Sequence, residues 1–486
     1  MSIPAFGIIF IPIAFWIFLY RPRYLVPLML VASVFVASSV VDFSYGDFVI
    51  GLQPYYFAAV LLAIRALPAL LRYRRLGRRS VPAMGKIVGP LIGFWKWAVV
   101  SAFVFPVIFK GIGVINPRSL VGDVAADFAL YGETAPLHWS LGNFGQVVYL
   151  TLSLIAVLYV VLGCGGDTER GERSLVALRV AIIVVSVVAA VQGVASWRGW
   201  NFPYLFFNSN PAYSQAFAAV FEGVPRVSST FTEASSAGGF LAAGALGLLA
   251  KRLQGGRANV LVILLAVVGL ILTTATTGYA TFLLGGALLF FYYARGGFQR
   301  RLPQGVLRRC VIGLFLAGAV IGVVLTADPP LRDAALEMTL NKADSVSFFA
   351  RTAADLYSVK LLVRTYGLGV GLGSNRPSSL GAYLLGNVGI VGTLLFGLCF
   401  GRLFVRLLLA SRQQCGAPFA MLAWMLVGLL VAQGIALPDL SWPPLWAVLI
   451  AAVSLLAPPT RVRGASEQVV GEALLDGRLP AGSSVA

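Results

Sequence analysis

The chain has 486 residues, 58% of them hydrophobic and 12% charged, with a formal net charge of +18. A soluble domain carries about a quarter charged residues, so a water-facing globule is excluded, and the alternating strands of a membrane barrel are absent. The positive charge does not point to nucleic acid, because the basic residues sit in short loops between apolar runs.

Windows of about twenty residues place about thirteen membrane spans, within a range of about 12–14. They cover roughly 3–20, 24–41, 50–71, 88–109, 144–163, 175–195, 236–250, 258–275, 279–294, 310–326, 379–401, 416–436 and 444–457. The fold class is therefore all-α and polytopic, one integral membrane domain over 1–457. The first run, Ile3 to Tyr20, lacks a basic leader segment and is followed by Arg21, Pro22 and Arg23 where a cleavage site would be; it reads as a retained span. The first two spans have an alternative, a hairpin that does not cross fully.

Basic clusters mark alternate loops: Arg21 and Arg23; Arg72 to Arg79; Arg170 and Arg173; Lys251, Arg252 and Arg257; Arg295 to Arg309; Arg402, Arg406 and Arg412. That is the positive-inside pattern, which puts these loops on the cytoplasmic side and the N-terminus outside. Cys164, Cys310 and Cys415 fall in or beside the basic loops and Cys399 inside a span, so no disulfide framework is expected. The tail, 458–486, is polar, rich in small residues and expected to be disordered on the cytoplasmic side.

Three loops on the opposite, periplasmic side are long: 110–143, 196–235 and 327–378. Loops of that length are usually functional. The first holds the sole histidine, His138, beside Trp139; interfacial packing competes with catalysis there. No His/Cys/Asp cluster has metal-ligand spacing, so neither metal nor cofactor is expected.

In the second loop Arg226 and Glu233 lie close in sequence, in VPRVSSTFTEASSAGGF. One reading is structural, with Thr232 capping the following helix and Glu233 in its first turn. The other is chemical: Arg226 faces an anionic substrate, and Glu233, made more basic by partial desolvation, accepts a proton.

The third loop supplies Arg351, Arg364 and Arg376, whose rigid forks suit phosphate oxygens. Pairing of Arg351 with Asp328, Asp333, Glu337, Asp344 or Asp355 is the alternative. The stretch 351–365 reads as an amphipathic helix at the membrane interface, its apolar side made by Leu356, Val359, Leu361, Leu362 and Val363. Glycine recurs at nearly every second position from Gly367 to Gly373, which predicts a tight turn with exposed amides, an anion nest that includes Gly369 and Gly371.

Taken together, RVSSTFTE (Arg226 to Glu233) before one span, the short turn TTATTGY (Thr273 to Tyr279), and then Arg364, the glycine run, Tyr383, Gly389 and Gly392 resemble the O-antigen ligase and polymerase superfamily over about 180–435. Its members are polytopic enzymes of the bacterial inner membrane that move glycans from undecaprenyl diphosphate on the periplasmic side. The resemblance implies that Arg226, Arg351 and Arg364 lie at the lipid diphosphate, with Tyr383 on the small-residue helix beyond. Ligases of the family carry a histidine shortly before the position of Tyr383, where this chain reads Ser378, Ser379, Leu380 and Gly381. The expectation therefore shifts to a polymerase of lipid-linked repeat units, with Glu233 the first candidate base and His138 the second. A chain-length regulator is a candidate partner besides the bilayer. Ligation of glycan to lipid A core or protein is the alternative within the class, and a transporter or lipid flippase the alternative outside it.

Overall fold

The computed structural model describes residues 1–45, 48–76, 85–115, 134–162, 169–211, 220–221, 224–295, 346–413 and 415–457. In chain order they form α1 (Ala5–Tyr20), α2 (Leu25–Ala32), β1 (Val41–Tyr45), β2 (Phe48–Leu52), α3 (Pro54–Leu76), α4 (Gly85–Ile108), β3 (Gly113–Val114) and β4 (Ala135–Pro136). There follow α5 (Leu141–Val161), α6 (Arg170–Arg198), α7 (Tyr204–Phe207), β5 (Val220–Phe221), β6 (Val224–Pro225), α8 (Ala234–Leu253), α9 (Val260–Leu272) and α10 (Thr276–Ala294). The last four are α11 (Val346–Arg364), α12 (Leu380–Ser411), α13 (Ala417–Ala436) and α14 (Pro443–Leu456). The strands make three small antiparallel ladders, β1 with β2, β3 with β4 and β5 with β6.

Among the described residues seven helices are long and apolar enough to cross a membrane: α4, α5, α6, α8, α10, α12 and α13. The protein is an all-α, multi-pass membrane protein on that evidence. Shorter apolar helices cover Ala5–Tyr20, Pro22–Ala32, Pro54–Pro68, Val260–Leu272 and Pro443–Leu456. The expected span 24–41 is not one straight crossing, for α2 stops at Ala32 and the chain turns into β1. The expected span 310–326, the tail, Cys164, Cys310, and Asp328, Asp333, Glu337 and Asp344 lie outside the described residues.

The core is organised around α8, a helix of Ala, Gly, Ser and Leu buried almost throughout. Small residues let backbones approach where lipid offers no hydrophobic drive for helix association. Gly428 of α13 could not carry a Cβ without meeting Ala243 Cα at 2.6 Å, and Gly247 of α8 would meet Met421 O at 2.7 Å. Each glycine is thus a point of backbone contact between the two helices.

The loops gather at two ends. At one, Gln254 donates to Ser411 O at 2.5 Å, a Cβ on Gly171 would meet Leu455, and the basic residues Arg170, Lys251 and Arg412 lie nearby in the chain. At the other, long-range backbone bonds tie the connections into one cap: Ala37 N to Thr230 O at 3.1 Å, Asn210 N to Ala37 O at 2.9 Å, Arg376 N to Ile115 O at 2.8 Å and Leu437 N to Ser378 O at 3.1 Å. Three non-glycine residues with left-handed φ occur there, Ser229 (54°), Thr274 (45°) and Tyr366 (52°). Such strain persists only where surrounding structure over-determines it.

The expected helix 351–365 is present as α11, but its apolar residues do not share one side. Leu361 is buried with Ala350, whereas Phe349, Leu356, Val359 and Val363 face outward. The helix thus has an inner apolar face against the bundle and an outer one suited to lipid.

Candidate functional site

Arg226 follows β6 directly. Its side chain is half-buried, and its Nε makes no hydrogen bond within the protein. Burial lowers the pKa of its guanidinium from the usual arginine value, the charge of Arg351 lowers it further, and Glu233 and Tyr279 oppose both. Those influences place Arg351 of α11, Glu233 at the mouth of α8 and Tyr279 of α10 within electrostatic reach of one arginine. Among the described residues neither Arg226 nor Arg351 forms an ion pair. Two cations facing one carboxylate leave positive charge to be met from outside.

Glu233 is itself the N-cap of α8, in extended conformation (φ −138°, ψ 148°), and its side chain caps no amide. Its Oε2 instead accepts from Ser235 Oγ at 2.9 Å. Thr232 therefore does not cap the helix, and Glu233 stands one residue before the first turn. Glu233 is also exposed, so the desolvation expected at this position is absent.

Arg364 stands apart. It closes α11, and at about 1.5 Å and 100° per residue it lies roughly 20 Å from Arg351 and about 140° around the axis. The two side chains leave opposite faces of one helix, and Arg364 is not among the charges acting on Arg226. Asp355, one turn beyond Arg351 on the same face, forms no ion pair with it among the described residues; its Oδ1 accepts from the amides of Ser378 at 2.7 Å and Ser379 at 3.1 Å. That clip ties the helix carrying Arg351 to the start of α12.

The glycine run is built otherwise than expected. Gly367, Gly369, Gly371 and Gly373 all have left-handed φ, between 82° and 105°, but their neighbourhood is closed. The α12 helix breaks at Gly389 (φ 67°, ψ −166°), which frees its carbonyls. Val370 N donates to Gly386 O at 2.8 Å, Gly371 N to Asn387 O at 2.9 Å, and Gly369 N to Thr365 Oγ1 at 2.9 Å. The Gly369 and Gly371 amides are thus occupied and form no anion nest. Glycine is required because a Cβ on Gly369 would meet Asn387 O at 2.6 Å and one on Gly371 would meet Ser101 O at 2.7 Å.

Asparagines lock this junction. Asn387, fully buried, accepts from the amides of Ser374 (3.1 Å) and Asn375 (2.8 Å) and donates to Asn375 O and Tyr383 O. Asn375 accepts from Ile115 N at 2.9 Å, and Asn143 donates to Leu372 O at 2.7 Å. These residues escaped the sequence reading, although an asparagine such as Asn387 within an apolar span is costly unless satisfied and so carries a signal.

Tyr383, one turn into α12, is buried, and its hydroxyl has no hydrogen-bond partner of good geometry. The Gly373 backbone approaches it, and Asp439 and Arg376 act on it electrostatically. Arg376 keeps its side chain exposed. His138 is exposed too, its Nδ1 2.9 Å from Pro136 O, while Trp139 stacks on Phe103 with centroids 6.3 Å apart. That geometry gives His138 a backbone contact and sets Trp139 against α4. Among the described residues no group of three or more His, Cys, Asp or Glu side chains is gathered for a metal.

Compared with known proteins, the chain matches no family model and no curated protein sequence. Tyr279 belongs to the arginine cluster although only its turn, Thr273 to Tyr279, had been singled out. Asp439 had no sequence signal beyond being an acid in a short connection between two apolar runs.

Proposed function

We propose that the protein is a bacterial inner-membrane glycosyltransferase that polymerises lipid-linked oligosaccharide repeat units at the periplasmic face. The observation that carries this reading is the electrostatic reach between Arg226, just after β6, and Arg351 of α11, far apart in sequence and, among the described residues, without an ion pair to neutralise either. Arginine forks held together at the end of a helical bundle suit a lipid diphosphate, whose hydrocarbon stays in the bilayer.

The donor is a glycan on undecaprenyl diphosphate, and the acceptor a terminal hydroxyl of the next lipid-linked unit. The hydroxyl oxygen attacks the anomeric carbon while its proton passes to a base. The bond from that carbon to the diphosphate oxygen breaks, and undecaprenyl diphosphate departs with the bonding pair. Arg226 and Arg351 offset the charge that develops there, where fixed charge shielded from water acts most strongly.

Broken helices also occur in transporters, where freed carbonyls at the break bind ions or substrate. At Gly389 the break is filled by the backbone of Leu368 to Gly371, which favours the enzyme over the transporter.

Incubating the purified full-length protein with lipid-linked repeat units tests the proposal. A ladder of longer glycans is expected on a sizing gel; unchanged single units would reject it. The orientation has its own test. A Lys360→Cys variant should react with an impermeant thiol reagent in intact spheroplasts, whereas the exposed native Cys415 should react only after lysis.

A further inference from the structure

A second polar cluster lies where the start of α12, the end of α13 and the 437–442 connection meet. Three of its side chains are more than nine-tenths buried: Gln433 (0% exposed) with Oε1 and Trp442 (3%) with Nε1 unpartnered, and Tyr383 (5%), whose hydroxyl has only the Gly373 backbone beside it. Buried polar atoms are nearly always paired, so two orphans and a poorly satisfied hydroxyl on adjoining elements call for a missing partner. They offer complementary chemistry: Gln433 Oε1 accepts, Trp442 Nε1 donates and the Tyr383 hydroxyl does either.

Hydrogen bonds join Gln433, Asp439 and Ser441. Gln433 Nε2 donates to Asp439 O at 2.9 Å, and Asp439 Oδ1 accepts from Ser441 N at 3.0 Å and Ser441 Oγ at 2.6 Å. Trp442 is the next residue, and Tyr383 lies within electrostatic reach of Asp439. Asp439 is half-buried, so its carboxylate is fixed through one oxygen while reaching the rim.

The cluster also adjoins the arginine site on two sides. Trp442 packs against Phe231, with ring centroids 6.3 Å apart, in the loop between Arg226 and Glu233. Leu437 N bonds Ser378 O, and Ser378 N is held by Asp355, one turn from Arg351. A molecule seated here would touch whatever Arg226 and Arg351 hold.

We propose that this cluster is the subsite for the acceptor sugar, and that the Asp439 carboxylate receives the proton of the attacking hydroxyl. The proposal rests on the glycosyltransferase reading above. A sugar ring presents hydroxyls that donate and accept, matching Gln433 Oε1, Trp442 Nε1 and the Tyr383 hydroxyl, and an apolar face that suits Trp442. The O–H bond breaks as the new bond to the anomeric carbon forms. Asp439 holds the proton, then passes it to water once the diphosphate has left.

The test separates this subsite from the enzyme reading. Asp439→Asn keeps the oxygen that accepts from Ser441 but removes the basicity. With lipid-linked donor and the repeat-unit oligosaccharide freed from its lipid as acceptor, turnover should fall by about 10²–10⁴. Binding of undecaprenyl diphosphate and the melting temperature should match wild type. Tyr383→Phe and Trp442→Phe should each raise KM for the acceptor by about tenfold, as the loss of one buried hydrogen bond predicts, and leave KM for the donor unchanged. Wild-type turnover in Asp439→Asn, or an acceptor KM unmoved by both aromatic variants, would overturn the subsite and leave a cluster filled by ordered water. Direct binding of the free oligosaccharide is measured in parallel. If the wild type binds it, Trp442→Phe weakens that binding, and no variant polymerises, the subsite stands and the polymerase reading falls. If the wild type polymerises but Trp442→Phe binds normally, the reverse holds.

Discussion

The glycine run and the arginine loop both look, in sequence, like places for an anion, and the fold treats them in opposite ways. From Gly367 to Gly373 the backbone donors are turned inward onto the broken α12 helix, and the two carbonyls freed near Gly389 are taken up by Val370 and Gly371. At Arg226 the reverse holds: the Nε donor is buried without a hydrogen-bond partner, and the charge that acts on it most strongly is another arginine's. Satisfied donors make architecture; unsatisfied charge makes a site. The difference is one of hydrogen-bond accounting, not of residue type.

The comparison breaks most readily at Arg226. Arg226→Ala should lower polymerisation by about 10²–10³, the usual effect of removing one donor to a developing negative charge, with little change in melting temperature. Arg226→Lys should recover only part of that loss, because an ammonium does not replace a fork. Normal activity in Arg226→Ala would remove the charge-based half of the contrast.

The glycine half should respond in stability instead. Gly371→Ala puts a Cβ at 2.7 Å from Ser101 O in a φ of 105°, which should cost several kcal/mol and is read as lost folded protein in detergent. Asn387→Ala leaves the amides of Ser374 and Asn375 without their acceptor and should cost about 2–4 kcal/mol, read as a lowered melting temperature with KM unchanged in the surviving protein. A variant of either kind that folds normally but binds undecaprenyl diphosphate poorly would return the glycine run to the anion site.

Arg364 sharpens the contrast at its smallest scale. On the far face of α11 it should tolerate Arg364→Ala with less than about threefold loss in turnover, since exposed charges distant from the chemistry contribute little. A loss as large as that of Arg226→Ala would mean that α11 moves during turnover.

Much of the site was legible, for reasons that are local. Arg226 and Arg351 are legible because arginine forks in long polar loops suit phosphate oxygens, and α11 is legible from its apolar content. The cap was misplaced by one residue: Thr232 and Glu233 are both chemically able to cap, and only the entry path of the chain decides which stands at the N-cap. Arg364 was grouped with Arg351 by sequence proximity, whereas helical geometry points the two apart. Asp439 and Gln433 gave no warning because their significance lies in what they touch.

The sequence by itself determined the all-α membrane class, the apolar helices, the basic end of the bundle and the need for glycine at left-handed positions, since each follows from transfer energy or backbone sterics within a short window. The tertiary structure alone decided which donors are used up and which stay open. The partner of a buried amide or guanidinium lies far away in the chain: Gly371 is answered by Asn387, Arg226 comes within electrostatic reach of Arg351, and Tyr383 within that of Asp439. Those pairings exist only once α8, α12 and α13 have packed.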